Sequence, residues 1–328
     1  MKAIVLSKYG SPDFFKLKEI KKPKPKDNEV LVKVYAASIN SWDWEILIAK
    51  PFVNRLMAGM LKPTKIKILG CDIAGKVEVV GKNIKRFRPG DQVFGDLSGS
   101  GWGGFAEYVC VREKALIQKS ENMTFEQAAA IPQAGLLALQ ALQYKKDIQA
   151  GQKILFNGAG GGVGTLGIQI AKSFGAEVTA VDKTEKLEVM NFLGADHVID
   201  YTKEDFTKNG QTYEKIIDVA AARSITAYKG SLSSNGIFVM VGGVLSLANK
   251  ILFLGPWISK RSNKKVGLLF HRPNEGLEVL KALFDAKKIV PVIDSVYSLN
   301  DVTDAFRHYE KGLVKGKIII NISDHLTS

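Results

Sequence analysis

A chain of 328 residues has room for two domains of ordinary size, and its 46% apolar, 24% charged composition, free of low-complexity runs, is that of a folded globular protein. No apolar stretch reaches membrane-spanning length, and the opening MKAIVLSKYGSPD lacks the apolar run and cleavage site of a secretory leader, so it reads as a first strand. The formal charge of +13 comes from dispersed lysines with one dense cluster, SKRSNKK at 259–265; without a nucleic-acid-binding module it reads as a solvated surface, or as a field that attracts an anionic cofactor or substrate.

Residues 1–120 read as β-rich. EVLVKVYAASI (29–39), DIAGKVEVVG, GDQVFGDL and GGFAEYVCVRE are strand-like, separated by turns rich in Gly, Pro and charge, and the one helix-period segment is 42–61. The pattern changes at Thr124, which with Gln127 has the spacing of a capping box ahead of a helix-prone run. From 153 onward strands (153–157, 177–182, 197–200, 215–219, 236–241, 265–270) alternate with helices (163–174, 184–193, 223–233), which predicts an α/β fold with a parallel, doubly wound sheet. A helix in NEGLEVLKALFDAKKI, a strand in PVIDSVYSL, a helix in NDVTDAFRHYEKG and a strand in GKIIINI close the chain and could rejoin the first domain. The two cysteines, Cys71 and Cys110, build no disulfide framework, which suits a cytoplasmic setting.

The strand at 153–157 breaks into GAGGGVG, five glycines within residues 158–164, and then resumes as a helix. A glycine-rich turn between strand and helix brings backbone N–H groups and the helix N-terminus to a pyrophosphate. The register Ala159-x-Gly161-x-x-Gly164 makes Gly161 the point of backbone approach and Gly164 the point of close helix packing; a later register, Gly162-x-Gly164-x-x-Gly167, starts beyond the strand end. Asp182, 22 residues after Gly160 at the next strand end, stands where a carboxylate receives the ribose hydroxyls of NAD, whereas Lys183 and Lys186 offer charge to the extra phosphate of NADP.

In order and spacing, AASINSWDW (36–44), GCDIAGKVEVVGKNIKRFRPGDQVFG (70–95), GGFAEYV (103–109), AAAIPQAGLLALQAL (128–142), GAGGGVG, GADHVIDY (194–201) and GKIII (316–320) resemble the medium-chain dehydrogenase/reductase superfamily. The nearest likeness is its zinc-independent quinone oxidoreductase branch, with the zeta-crystallin-like and enone reductases. The resemblance implies a GroES-like β-barrel domain (1–123 and 288–328), a Rossmann domain (124–287), and an active site in the cleft between them. It implies NADPH, with NADH admitted by Asp182, and a homodimer whose edge strand is VGLLF at 266–270. Its cofactor positions fall on Gly160, Gly161, Gly162, Val163, Lys186, Tyr201, Ala220, Gly242, Gly243, Leu269, Lys315 and Gly316.

The zinc-binding members hold their metal with a Cys, a His and a Cys; the matching positions here are Asn40, Cys71 and Gln133. One thiol between two amides makes a poor zinc site, and two cysteines cannot build the four-cysteine lobe of structural zinc, so no metal is expected. His197, His271, His308 and His325 have no ligand spacing. Without a Lewis acid, hydride delivery to a quinone or to the β-carbon of an enone asks least of the protein. Asn40 and Gln133 are then the amide donors for the developing oxyanion, and Asp43 either titrates or fixes its loop. Trp42, Trp44 and Trp102 either line an aromatic pocket or fill a core or a dimer interface, and residues 244–265 wall that pocket, meet a partner subunit or lie on a membrane surface. Two other readings stand beside the reductase: a dinucleotide-binding protein without catalysis, and an alcohol dehydrogenase.

Overall fold

The computed structural model describes residues 1–322; His325 and the end of the expected 288–328 segment lie outside the described residues. The chain divides into two compact units, one made of Met1–Gln133, Pro273–Asp285 and the segment from Ile293 onward, the other of Ala134–Arg272 and Ala286–Val292.

The first unit begins with β1 (Lys2–Leu6), β2 (Phe15–Glu19) and β3 (Glu29–Ser38), followed by α1 (Ser41–Ile48) and α2 (Val53–Ala58). The helix expected over 42–61 is therefore two short ones: Ala49 turns left-handed at φ 53°, and Pro51 follows, whose ring and missing N–H do not continue a helix. Then come β4 (Asp72–Val80), β5 (Gln92–Asp96), β6 (Tyr108–Arg112), β7 (Ile117–Gln118) and α3 (Phe125–Ala130). The expected capping box is present, with Thr124 Oγ1 accepting the Gln127 N–H at 3.1 Å and Gln127 Oε1 accepting the Thr124 N–H at 3.0 Å.

α4 (Pro132–Leu142) leads into the second unit: β8 (Lys153–Asn157), α5 (Gly162–Ser173), β9 (Glu177–Asp182), α6 (Leu187–Phe192), β10 (His197–Asp200), β11 (Tyr213–Asp218), α7 (Ile225–Gly230), β12 (Leu232–Met240), α8 (Leu245–Arg261) and β13 (Lys265–Leu268). Its six strands are all parallel in the order β10-β9-β8-β11-β12-β13. The helix expected over 223–233 ends at Gly230, and Leu232 already belongs to β12. Residues 245–261 form one helix although Pro256 lies inside it.

The chain returns to the first unit with α9 (Leu277–Asp285), β14 (Ile293–Ser298), α10 (Val302–Glu310) and β15 (Lys317–Asn321). β15 lies between β14 and β3 in the sheet β14-β15-β3-β4-β5-β7, and β6 pairs with β3 as well. Two expected boundaries move. α3 packs on β3, β4 and β15, so the border falls after Gln133 and not at 123/124. Residues 273–285 belong with the first unit, where Asn274 brackets the Asp96 backbone at 2.9 and 2.8 Å and Ser120 Oγ donates to Asp285 at 2.9 Å; residues 286–292 belong with the second, where Gln169 brackets Val290 at 2.9 and 2.8 Å.

Each unit has its own core. Phe105, Phe306, Leu47 and Ile73 are among the side chains buried in the first; Phe238, Tyr228, Phe206 and Ile216 are among those in the second. Trp102 belongs to the first core, where it stacks on Trp42 at 6.5 Å, and Trp44 tilts against Tyr309 at 6.2 Å. Trp42 and Trp44 pack against this core and stay partly exposed.

Candidate functional site

In the second unit, β9 lies on one side of β8 and β11 on the other, so the chain reverses its direction of winding between β8 and β11. Such a switch point opens a crevice at the C-terminal ends of the strands, where α/β sheets take ligands. The glycine turn sits there. Gly158 N–H and Ala159 N–H both donate to Val181 O at 3.0 Å, and Gly158 takes φ +81°, which bends the chain sharply out of the strand. Gly161 occupies the N-cap position of α5 without a side chain to cap it, which leaves the first N–H groups of the helix facing outward. A Cβ on Gly161 would meet nothing nearer than Gly158 O at 3.7 Å, whereas one on Gly164 would lie 2.3 Å from Ala159 Cα. One glycine therefore keeps a face open and the other lets α5 press on the turn, the division of labour expected from the register Ala159-x-Gly161-x-x-Gly164. Gly160, Gly162 and Val163 complete the turn and the first turn of α5.

Asp182 ends β9 beside this turn. Its Oδ2 accepts the Gly160 N–H at 2.8 Å and its Oδ1 the Lys183 N–H at 2.8 Å, with Lys186 Nζ 3.9 Å away. Asp182 and Lys186 are both buried. The carboxylate expected to meet a ribose clamps the glycine turn, and the Lys186 stem lies across Gly160, 2.6 Å from where a Cβ would stand. Tyr201 N–H donates to Asp182 O at 3.1 Å, which brings this half-exposed residue into the same group. On the far side of β8, Ala220 N–H is held by Asp218 Oδ1 at 2.9 Å, and Ala221 and Gly243 form a bridge so close that a Gly243 Cβ would stand 2.1 Å from Ala221 O. Gly242 adjoins this bridge, and Leu269 follows β13 with its N–H on Met240 O at 2.9 Å. The structure thus brings Gly160–Val163, Asp182, Lys186 and Tyr201 together at one side of the switch point, and Ala220, Gly242 and Gly243 together at the other. The fit to a dinucleotide rests on the open Gly161 face and the uncapped start of α5.

Lys315 and Gly316 belong to the first unit, where Lys315 N–H donates to Asp294 Oδ1 at 2.8 Å and Gly316 takes φ +76°. Beside them lies a residue that sequence reasoning passed over, Lys317. The antiparallel register sets Ser38 opposite Asp72 and Asp72 opposite Asp96, with Ile319 of β15 opposite Ser38. Around this row a polar cluster is buried: Asn40, Asp43, Cys71, Asp72, Asp96, Gln133 and Lys317. Asn40 Nδ2 donates to Asp72 Oδ2 at 2.9 Å and to Cys71 Sγ at 3.2 Å, while Asn40 Oδ1 accepts from Lys317 Nζ. Asp72 also accepts the Gln133 N–H at 3.1 Å and the Ser38 hydroxyl at 3.3 Å. Burial lifts the Asp72 carboxyl to about 6 against the pull of the Lys317 ammonium.

One expectation changes here. Both Nδ2 protons of Asn40 are committed inside the cluster, to Asp72 and Cys71, which leaves its amide no N–H for an acceptor. Gln133 commits one Nε2 proton, to Cys71 Sγ at 3.4 Å, and its second has no partner among the described residues. Asp43 resolves to the loop-fixing alternative: its Oδ2 accepts the Asn40 N–H at 2.9 Å and its Oδ1 the Gly70 N–H at 2.7 Å, with full burial lifting its carboxyl to about 7.

The donor set does not fit a zinc ion. Burial, then the charges of Asp43 and Asp72, push the Cys71 thiol well above its ordinary range, whereas a metal ligand must be a thiolate. The amides flanking it offer N–H groups to the sulfur, not lone pairs to a metal. Cys71, Asp72 and Asp96 do bring a sulfur and two carboxylate oxygens within 4.8 Å of one another, but Lys317 Nζ already stands 3.6 Å from Asp72 Oδ2.

The residues of this cluster lie in separate segments of the sequence. Asp72 follows Cys71 in GCDIAG, Asp96 follows FG at the end of β5, and Lys317 opens KIIIN. Only pairing across three strands reveals that they meet.

Comparison with known proteins adds the family. Residues 26–121 match the alcohol dehydrogenase GroES-like domain and residues 193–320 the domain named zinc-binding dehydrogenase. The 2-methylene-furan-3-one reductase of Solanum lycopersicum is 34% identical over 98% of this chain and 79% of its own. The NADPH-dependent alkenal/one oxidoreductase, chloroplastic, of Arabidopsis thaliana is 33% identical over 98% of this chain and 79% of its own. The quinone oxidoreductase from Coxiella burnetii superposes with a TM-score of 0.88 at 30% identity, covering 98% of this chain and 99% of that one.

Proposed function

Because the chain belongs to the medium-chain dehydrogenase/reductase superfamily, in its zinc-independent quinone and enone reductase branch, we propose that it reduces quinones or α,β-unsaturated carbonyls with NADPH. The observation that carries this reading is the whole-chain likeness to reductases of both acceptor classes, joined to a glycine turn whose open face lies at the switch point of the parallel sheet.

NADPH supplies the hydride when bound. The protein's own work begins with the N–H groups at the start of α5, which receive the pyrophosphate against the positive end of the helix dipole. Asp182 keeps the turn in shape by holding the Gly160 N–H. Lys186 pairs with the phosphate that distinguishes NADPH from NADH, and the Tyr201 ring covers the adenosine. Gln133 directs its remaining N–H toward the acceptor oxygen as negative charge develops there, and the closing proton comes from water.

Lys186→Ala tests the adenosine end. The expected result is a rise of about 10- to 100-fold in the KM for NADPH, the worth of a hydrogen bond to a charged group, with the KM for NADH nearly unchanged. An equal rise for both cofactors would assign Lys186 to packing over Gly160 alone. The same reading includes a homodimer. It is supported by β13 at the sheet edge and by the exposed Phe253, Trp257 and Phe270 beside it. Sedimentation should give twice the chain mass, and Phe253→Glu should lower it; a monomer at micromolar concentration would exclude the dimer.

No helix of the described residues is long and apolar enough to cross a membrane.

A further inference from the structure

The first unit carries a segment whose apolar residues face the wrong way for a core. In residues 52–61, Phe52, Val53, Leu56, Met57, Met60 and Leu61 are all exposed, Phe52 to 63% and Leu61 to 88%. Val53, Leu56 and Met57 have the spacing of one helix face in α2, Met60 continues it just past the helix end, and Ala58 is buried. A helix of a folded domain ordinarily turns such a stripe inward; this one shows it to solvent. From Ile46 to Cys71 the sequence holds Lys50, Arg55, Lys62, Lys65 and Lys67 and no acidic residue. The four lysines are exposed, and Lys65 Nζ reaches Leu56 O at 3.4 Å, which sets its charge beside the stripe. We propose that this segment docks the protein on an anionic lipid surface, its apolar side chains entering the headgroup layer and its lysines meeting the negative charge there.

The segment is held in this form before any partner arrives. The buried Tyr9 donates its hydroxyl to Gly59 O at 2.7 Å, and Ala58 O accepts the Thr64 and Lys65 N–H groups at 2.9 Å each, which closes residues 59–63 back onto the end of α2. Docking therefore has little backbone left to order. The polar side chains decide the kind of partner. Between Phe52 and Leu61 they are Asn54 and Arg55 alone. Asn54 Nδ2 donates to Lys50 O at 3.0 Å, and the Arg55 guanidinium lies 5.5 Å from the centre of the Tyr9 ring. The face thus offers exposed carbon flanked by positive charge and few directional hydrogen bonds. That suits acyl chains and anionic headgroups better than the polar rim of a protein interface. A second copy docked on the same face would bring like charges together. The exposed Phe253, Trp257 and Phe270 belong to the second unit, where the homodimer proposed above uses them. The inference concerns where the protein sits and is independent of the acceptor that it reduces.

The test is flotation of the full-length protein with phosphatidylcholine vesicles, with and without about 30% phosphatidylserine, at about 0.1 M and about 0.5 M salt. The wild type should bind the anionic vesicles about 10-fold more tightly than the neutral ones, and the higher salt should weaken that binding. Met60→Ser combined with Leu61→Ser should cut binding to the anionic vesicles by about 10-fold, with the melting temperature and the affinity for NADPH unchanged. Lys62→Gln combined with Lys65→Gln should remove most of the preference for anionic lipid. A wild type that floats with neither vesicle, or equally with both, overturns the proposal, and so does flotation that survives both pairs of substitutions. A fall in sedimenting mass on Met60→Ser with Leu61→Ser, measured without lipid, would make this face a contact between copies and overturn it as well.

Discussion

Asp72→Ala should destabilise the protein by about 3–5 kcal/mol, because it strands the Lys317 ammonium in a site where that lysine is 4% exposed. The carboxyl itself is held above its ordinary range, so desolvation outweighs the lysine's attraction and the pair as a whole adds little net stability. That is why the single substitution and the double one should differ. Asp72→Ala combined with Lys317→Met removes both charges together and should recover a large part of the loss, although Asn40 and Gln133 lose an acceptor in either case. Urea unfolding of the wild type, both single variants and the double variant gives the coupling directly. Additive losses would mean that Lys317 and Asp72 do not depend on each other.

The second large effect separates folding from cofactor binding within one turn. Gly164→Val puts a Cβ 2.3 Å from Ala159 Cα and 2.4 Å from Ala159 O, backbone atoms that cannot swing away. Overpacking of this kind costs about 1–3 kcal/mol or more and moves the start of α5, so both stability and NADPH binding should fail. Gly161→Ala is the informative partner. Its φ of −87° suits any residue, and the added methyl meets only Gly158 O at 3.7 Å, so the protein should fold with an unchanged melting temperature. The methyl nevertheless occupies the face through which the pyrophosphate would reach the backbone, and NADPH affinity should fall by about 10- to 100-fold, or about 1.4–2.8 kcal/mol. Thermal melts and fluorescence titration of the two variants check this; a Gly161→Ala protein that binds NADPH as the wild type does would place the cofactor elsewhere.

The alternation of strands and helices after residue 153 was legible because each buried strand is short, apolar and bounded by turn residues, and each helix carries its own period. What was not legible depended on tertiary partners. Residues 245–261 hide their helix behind Gly255 and Pro256, and Gly255 is needed because its neighbour across the contact is Val266 O, 3.0 Å from a would-be Cβ. The segment 42–61 keeps a helical composition on both sides of Ala49 and Pro51, so its period ran through the break. Of the expected site residues, the glycine turn, Asp182, Lys186 and Tyr201 do lie together, yet Asp182 faces the turn and not outward, a difference of side-chain direction that spacing along a chain cannot carry. Asn40 was expected to donate to the acceptor and Asp43 either to titrate or to fix its loop; the hydrogen bonds of both side chains lie inside the cluster and its loop. Lys317 was invisible because a charged residue at the start of an apolar strand ordinarily points to solvent. Only the carboxylates of β4 and β5, brought in from elsewhere in the sequence, make its burial tolerable.

The most direct test of the account is to follow deuterium from NADPH labelled at the transferable position of the nicotinamide into a short enone, using chelator-treated protein. The account predicts deuterium on the β-carbon of the saturated ketone, with turnover unaffected by the chelator. Cofactor that binds but leaves every quinone and enone unreduced, or a turnover that returns only when zinc is restored, would contradict it.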